Sequence, residues 1–154
     1  SILCRVTEED RFVTLLFARL DVSSRVLQYV NAGHVPGYVL DQSGDVKAVL
    51  KSSTFPLAIF PDAHFPVSGP IKLESNDIVV LTTDGVPEAS SREGELFGTE
   101  RTLEVIRANR HAAPREILER LWQAVRDFTQ CDQPRDDVTA VVIKTESSSA
   151  TLDG

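Results

Sequence analysis

The sequence contains no apolar run near the roughly 18 residues that a bilayer-crossing helix needs. Its opening, Ser1 to Asp10, is polar and acidic and lacks the hydrophobic centre of a secretory leader. No membrane association is expected, and the expected compartment is the cytoplasm. Cysteine is scarce: Cys4 and Cys131 stand at opposite ends of the chain, with no Cys-x-x-Cys and no Cys/His cluster. That argues against a zinc site. Two isolated thiols suit a reducing compartment, although their positions leave a pairing open. Basic residues are outnumbered, 16 Lys and Arg against 23 Asp and Glu, for a net charge of −7. An acidic surface repels phosphodiester backbones, so nucleic acid is not an expected partner. The same acidity suits a site made of carboxylates, but it is also ordinary for a soluble protein.

What is present is a globular composition, 42% hydrophobic and 25% charged, which argues against disorder and coiled coils. The length suits one domain able to bury about 70% of its unfolded surface. The first half alternates apolar runs with turn residues. Phe12 to Leu20 (FVTLLFARL) carries large apolar side chains on both strand faces, which predicts a strand covered on both sides. Asp21 to Ser24 reads as a hairpin turn and Val26 to Val30 as the return strand. Gly37 to Asp41 and Val46 to Leu50 form a second pair around Gln42-Ser43-Gly44-Asp45. Pro56, Pro61, Pro66 and Pro70 make long regular structure unlikely over 51–70, leaving a short edge strand at Phe65 to Val67.

Ile78 to Leu81 (IVVL) is the most buried-looking strand, and it runs directly into Thr82-Thr83-Asp84-Gly85. The period then changes from 2 to 3.6. Helices are predicted over Thr99 to Asn109 and over Pro114 to Gln130. In the second, Ile117, Leu118, Leu121, Val125 and Phe128 make an apolar stripe, with Trp122 packing at its border. Val138 to Ile143 is a last buried strand, and 146–154 is a Ser-rich, disordered tail. A meander followed by two helices and a strand predicts a layered α+β sandwich.

Three places could carry chemistry. Asp84 stands at the tip of a buried strand, and Gly85 lets the backbone turn or approach a ligand closely; an ordinary strand-to-turn Asp-Gly reads the same way. Asp136 and Asp137 precede the last buried strand, and by themselves they are equally well a solvated pair. If the two strands pair, Asp84 and Asp136 converge on one sheet end. Two close carboxylates repel unless a cation lies between them, and oxygen ligands favour Mg²⁺ or Mn²⁺. His34, in Asn31-Ala32-Gly33-His34, also follows a strand and could share that rim or simply cap it.

NAGHVPG (Asn31 to Gly37), TTDGVPEA (Thr82 to Ala89), GELFGTER (Gly94 to Arg101) and DDVTAVVI (Asp136 to Ile143), in this order, resemble the PPM-type metal-dependent phosphatases. The similarity is greatest to the bacterial SpoIIE/RsbU-like branch, whose central hairpin FVTLLFARLD (Phe12 to Asp21) also resembles. The resemblance covers about residues 10–145, so 1–145 is expected to be a partial domain of this type. It implies a two-sheet β-sandwich flanked by helices, with a Mn²⁺ or Mg²⁺ pair at the sandwich edge. Asp84 and Asp136 match metal ligands, and Gly85 completes the Asp-Gly motif. Asp137 occupies the adjacent acidic position. Glu88 matches an acidic residue that binds a further metal or its water, and His34 falls where relatives carry His or Asp near the metals.

The family's first motif, Asp-x-Ser-Gly-His-Gly or similar, is not found before Phe12. The initial strands are therefore expected to be missing and the metal site incomplete. Phe55-Pro56-Leu57-Ala58 stands where relatives often have Gly-x-Pro-Leu-Gly, with Ala58 in place of the second glycine. The implied activity is hydrolysis of phosphoserine or phosphothreonine on a partner protein. In this branch that partner is typically an anti-sigma-factor antagonist, and an N-terminal sensor domain is common. The fragment alone is expected to have little activity. The rival expectation is a pseudophosphatase, a protein-binding module without catalysis. A bare sheet edge left by the missing strands would favour a homodimer.

Overall fold

A computed structural model describes residues 12–60, 62–130 and 137–146. Cys4, Cys131, Asp136 and the tail beyond Glu146 lie outside them. Seven strands and two helices occur in the order β1 (Leu15–Asp21), β2 (Val26–Ala32), β3 (Gly37–Leu40), β4 (Val46–Leu50), β5 (Ser68–Lys72), β6 (Ile78–Thr82), α1 (Gly98–Ala108), α2 (Pro114–Thr129) and β7 (Ala140–Lys144). They form a three-stranded sheet, β1-β2-β5, and a four-stranded sheet, β4-β3-β6-β7. The pairs β1–β2, β2–β5, β3–β6 and β6–β7 are antiparallel. The α+β expectation holds.

The chain divides into two compact units, one of residues 1–37 and 48–72, the other of 38–47 and 73–154. In the first unit, β1 and β2 form a hairpin with Leu15 opposite Ala32 and Asp21 opposite Val26. Asp21 closes the turn: its Oδ1 accepts the Ser23 hydroxyl at 2.7 Å and the Ser24 amide at 3.0 Å. The Ser23 hydroxyl bond, with the Ser24 amide behind it, lowers the Asp21 pKa from 3.8 to about 2. Along β2, Leu27, Tyr29 and Ala32 are buried.

Two expectations fail in this unit. The strand over Phe12–Leu20 starts later, at Leu15, and it is not covered on both faces: Phe17 is 61% exposed, and Phe12, Val13 and Leu15 are exposed too. Among the described strands β1 lies at the sheet edge, with β2 as its neighbour. Its apolar residues signal a demand for cover that no second layer among the described residues meets. The edge strand anticipated at Phe65–Val67 lies instead at Ser68–Lys72, and it contains Pro70. An edge strand tolerates proline because one row of its amides needs no ladder partner.

Ala58 has φ +73°. This is the left-handed region, where a Cβ costs about 1–2 kcal/mol and glycine costs nothing. A glycine at this position would adopt the same conformation without that cost.

In the second unit both helices lie on one face of the β3-β6-β7 strands. Ile78 and Val80 of β6, Leu40 of β3 and Val142 of β7 pack with Leu103 and Ile106 of α1 and with Ile117, Leu121 and Val125 of α2. The 3.6-residue stripe read from the sequence is therefore the buried face of α2. Phe128 joins it edge-on to Phe97 at 5.4 Å. Trp122 does not pack as expected; it is 38% exposed, because it sits one position past the stripe's Leu121 and turns outward. Val39 and Val79, on the opposite strand face, are fully buried as well. Pro114 opens α2, where its missing N–H is no loss, and Gln130 closes it at φ +50°.

The turn before β6 is held by Asp77, buried to 1% exposure. Its Oδ2 accepts Lys47 Nζ at 2.7 Å and the Glu74 amide at 2.8 Å. Both bonds are charge-assisted, which is what allows a carboxylate to stay buried.

Replacing Ala58 with glycine is expected to stabilise the protein by about 0.5–1 kcal/mol, the relieved strain less the added chain entropy. A rise in the urea midpoint at unchanged slope checks this. For Asp21 the folded pKa lies below the unfolded one, so its contribution is complete above pH 3.8 and disappears as pH falls through about 2. Protection factors of the β1–β2 hairpin amides, with exchange corrected for its intrinsic pH dependence, are expected to fall over that window, and Asp21→Asn is expected to remove that fall.

Candidate functional site

The site residues read from the sequence fall in both units. In the second, β6 and β7 run antiparallel with Thr82 opposite Ala140. The exit of β6 and the entry of β7 therefore occupy the same end of the sheet. Asp84 and Gly85 leave the first, and Asp137 leads into the second.

The junction is close. The Thr83 amide donates to the Thr139 carbonyl at 2.9 Å. The Thr83 hydroxyl lies 3.2 Å from the Asp137 carbonyl and accepts the Thr139 amide at 3.0 Å. Gly85 is buried, and a Cβ built on it would stand 2.5 Å from the Asp137 carbonyl oxygen. Its φ is not in the left-handed region, so the glycine is required by close backbone approach and not by the turn.

Asp84 is exposed, with its Oδ1 accepting the Gly85 amide at 3.0 Å. Asp137 and Glu88 are also exposed. The Glu88 amide donates to the Asp84 carbonyl at 2.8 Å, which winds the chain back one turn after Asp84.

In the first unit the Asn31–His34 turn is built around a fully buried asparagine. Asn31 Nδ2 donates to the Leu50 carbonyl at 2.9 Å, and its Oδ1 accepts the His34 amide at 2.9 Å. Gly33 has φ +68°, and a Cβ there would collide with the Pro56 ring at 2.3 Å. The half-buried His34 ring places Nδ1 3.2 Å from the Thr14 hydroxyl. The burial of Asn31, near the end of β2, has no signal in the sequence, where an asparagine before Ala-Gly-His reads as a turn residue.

Among the described residues no group of three or more His, Cys, Asp or Glu could hold a metal ion. The donors at the β6–β7 end, the Asp84 carboxylate and neighbouring carbonyls, are oxygens and suit Mg²⁺ or Mn²⁺ in kind. In number they fall short of a metal site among the described residues.

The family model for Stage II sporulation protein E (SpoIIE) matches residues 1–146, and the chain belongs to this family of SpoIIE/RsbU-like PPM phosphatases. It is 33% identical over 132 residues to Protein IcfG of Synechocystis sp., covering 86% of this chain and 20% of that protein. It is 26% identical to the phosphoserine phosphatase RsbU of Bacillus subtilis, over 92% of this chain and 43% of RsbU. Structures of the SpoIIE phosphatase domain from Bacillus subtilis share the fold, with TM-scores of 0.74 and 0.70 at 19% and 21% identity. They cover 94% and 95% of this chain and 42% and 62% of those chains, and the second was presoaked with Mn. The chain thus spans less than half the length of the curated relatives it matches.

Replacing Gly85 with alanine is expected to force the β7 entry away from Asp84. A loss of about 1–3 kcal/mol, typical of overpacking, would appear in thermal unfolding, and amide shifts would change at Asp137 to Thr139. Alanine at the exposed Gly94, where φ is +86° and a Cβ meets nothing within 4 Å, is expected to lose stability through backbone strain alone, without the shifts at Asp137 to Thr139.

Proposed function

We propose that this chain is part of the catalytic domain of a metal-dependent protein phosphatase acting on phosphoserine or phosphothreonine of a partner protein. The observation that carries the proposal is the antiparallel pairing of β6 with β7, which sets Asp84 and Asp137 at one sheet end. Family membership and the name of the relative RsbU, a phosphoserine phosphatase, support it. In this reading Asp84 and Asp136 hold Mn²⁺ or Mg²⁺, with Gly85 offering its carbonyl and with Asp137 and Glu88 holding outer waters. The Mn-presoaked structure of the SpoIIE domain supports that choice of metal. When bound, such a metal pair supplies an activated water and neutralises charge on the phosphoryl oxygens. The protein's part is geometric: a rigid sheet end fixes Asp84, and the exposed rim admits a phosphorylated side chain. For His34, in the first unit, the one argument for a role is its place in NAGHVPG. No nucleophilic side chain is needed. The partner is an anti-sigma-factor antagonist, and a sensor domain in the parent protein controls access.

A second reading is a docking module without catalysis. The observation favouring it is that the described residues hold fewer than three candidate ligands in any one place.

The chain alone is expected to bind Mn²⁺ weakly, at millimolar concentrations, and to hydrolyse p-nitrophenyl phosphate barely above background. Asp84→Asn is expected to abolish the Mn²⁺ heat in calorimetry. Micromolar affinity with rapid turnover would show that the chain carries a complete ligand set and that the fragment reading is wrong. No Mn²⁺ response at all would favour the docking module.

A further inference from the structure

We infer that Thr83 is a positioning residue, whose hydroxyl converts the β6–β7 ladder into the turn that presents Asp84; the inference rests on the metal-site reading above. Continuing the register from Thr82 and Ala140 makes Thr83 and Thr139 the next pair. In an uninterrupted antiparallel ladder such a pair exchanges two main-chain bonds. Only one is made, from the Thr83 amide to the Thr139 carbonyl at 2.9 Å. The other is replaced: the Thr139 amide donates to the Thr83 hydroxyl at 3.0 Å instead of to its main-chain carbonyl.

The consequence lies on the other side of Thr83. Its carbonyl, relieved of the ladder, accepts the Val86 amide at 3.2 Å. That bond closes a four-residue turn, Thr83 to Val86, with Asp84 and Gly85 at its two central positions. A backbone carbonyl cannot point both along the ladder and into the turn. The side-chain oxygen satisfies the strand so that the main-chain oxygen can close the turn. The hydroxyl then donates its own hydrogen towards the Asp137 carbonyl at 3.2 Å. One oxygen thus ties the two strand ends together: it fixes where Asp84 leaves β6 and how far away Asp137 lies. Gly85 supplies the steric room for the same approach, with only 2.5 Å between a built Cβ and the Asp137 oxygen.

Valine has the shape of threonine without the hydrogen-bonding oxygen, and serine keeps the oxygen and loses only the methyl. The experiment uses the whole chain labelled with ¹⁵N, with Mn²⁺ alone as the probe and paramagnetic broadening of the amides of Asp84, Gly85, Asp137 and Thr139 as the readout. In the wild type all four are expected to broaden with one half-point. Thr83→Val is expected to raise that half-point roughly 10-fold or more, as lost outer-shell support does, to separate the two segments' half-points, and to speed exchange of the Thr139 amide. Thr83→Ser is expected to stay within about twofold of wild type, as retention of the outer-shell oxygen requires.

A folded Thr83→Val protein with wild-type Mn²⁺ half-points and a deprotected Thr139 amide would reduce Thr83 to a stability role and overturn the inference alone. Should the valine variant not fold, the serine variant decides, and a wild-type-like fold with lost Mn²⁺ affinity overturns the inference. A wild type whose amides ignore Mn²⁺, indistinguishable from Asp84→Asn, overturns both this inference and the metal-site reading.

Discussion

The pairing of β6 with β7 is the constraint on which the second unit depends. The two strands are separated by more than fifty residues of chain, and they meet because each presents apolar side chains to the same helical cover. Ile78 and Val80 on one strand and Val142 on the other share a core with Ile106, Ile117 and Leu121. Once the register is set with Ile78 opposite Lys144, everything at the far end follows from it. Thr83 reaches Thr139, and the Asp-Gly turn reaches the approach to β7. A one-residue slip would send the valines to the wrong faces. Burial of apolar side chains therefore specifies the position of groups that are themselves exposed.

The acidic residues show two different uses of a carboxylate. Asp77 is buried, anchored by Lys47 and a backbone amide, and it holds a turn. Asp84 is exposed and, among the described residues, its carboxylate accepts one local bond, from the Gly85 amide. A carboxylate whose oxygens are saturated by protein donors has little left for a ligand, whereas one held at a strand tip with open lone pairs has much. The contrast separates a structural aspartate from a candidate ligand better than either residue's sequence neighbours do.

The first unit follows a similar logic with a different device. Asn31 is fully buried, and its amide group spans Leu50 on one side and His34 on the other. Gly33 admits the Pro56 ring where any side chain would be excluded. The NAGH turn thus owes its shape to packing against a second segment, and His34 is displayed as a result. The strained Ala58 lies in that same segment, two residues past the proline.

The sequence by itself determined the helices, most strands and the class of fold. These depend on local periodicity and on turn residues, which a linear reading captures: α2 and its Ile117, Leu121 and Val125 stripe are an example. It also pointed to Asp84 and to the segment before β7, because each abuts a strongly apolar run. Tertiary structure alone decided which faces are covered. The row Phe12, Val13, Leu15 and Phe17 looks as apolar as a core strand but is exposed, because burial needs a partner layer and composition does not report one. Only the fold, too, gave Thr83 and Gly85 their places. A hydroxyl substituting for a carbonyl, and a glycine needed for a close approach between segments, are relations between residues distant in sequence, and no local pattern encodes a distance between two chains of backbone.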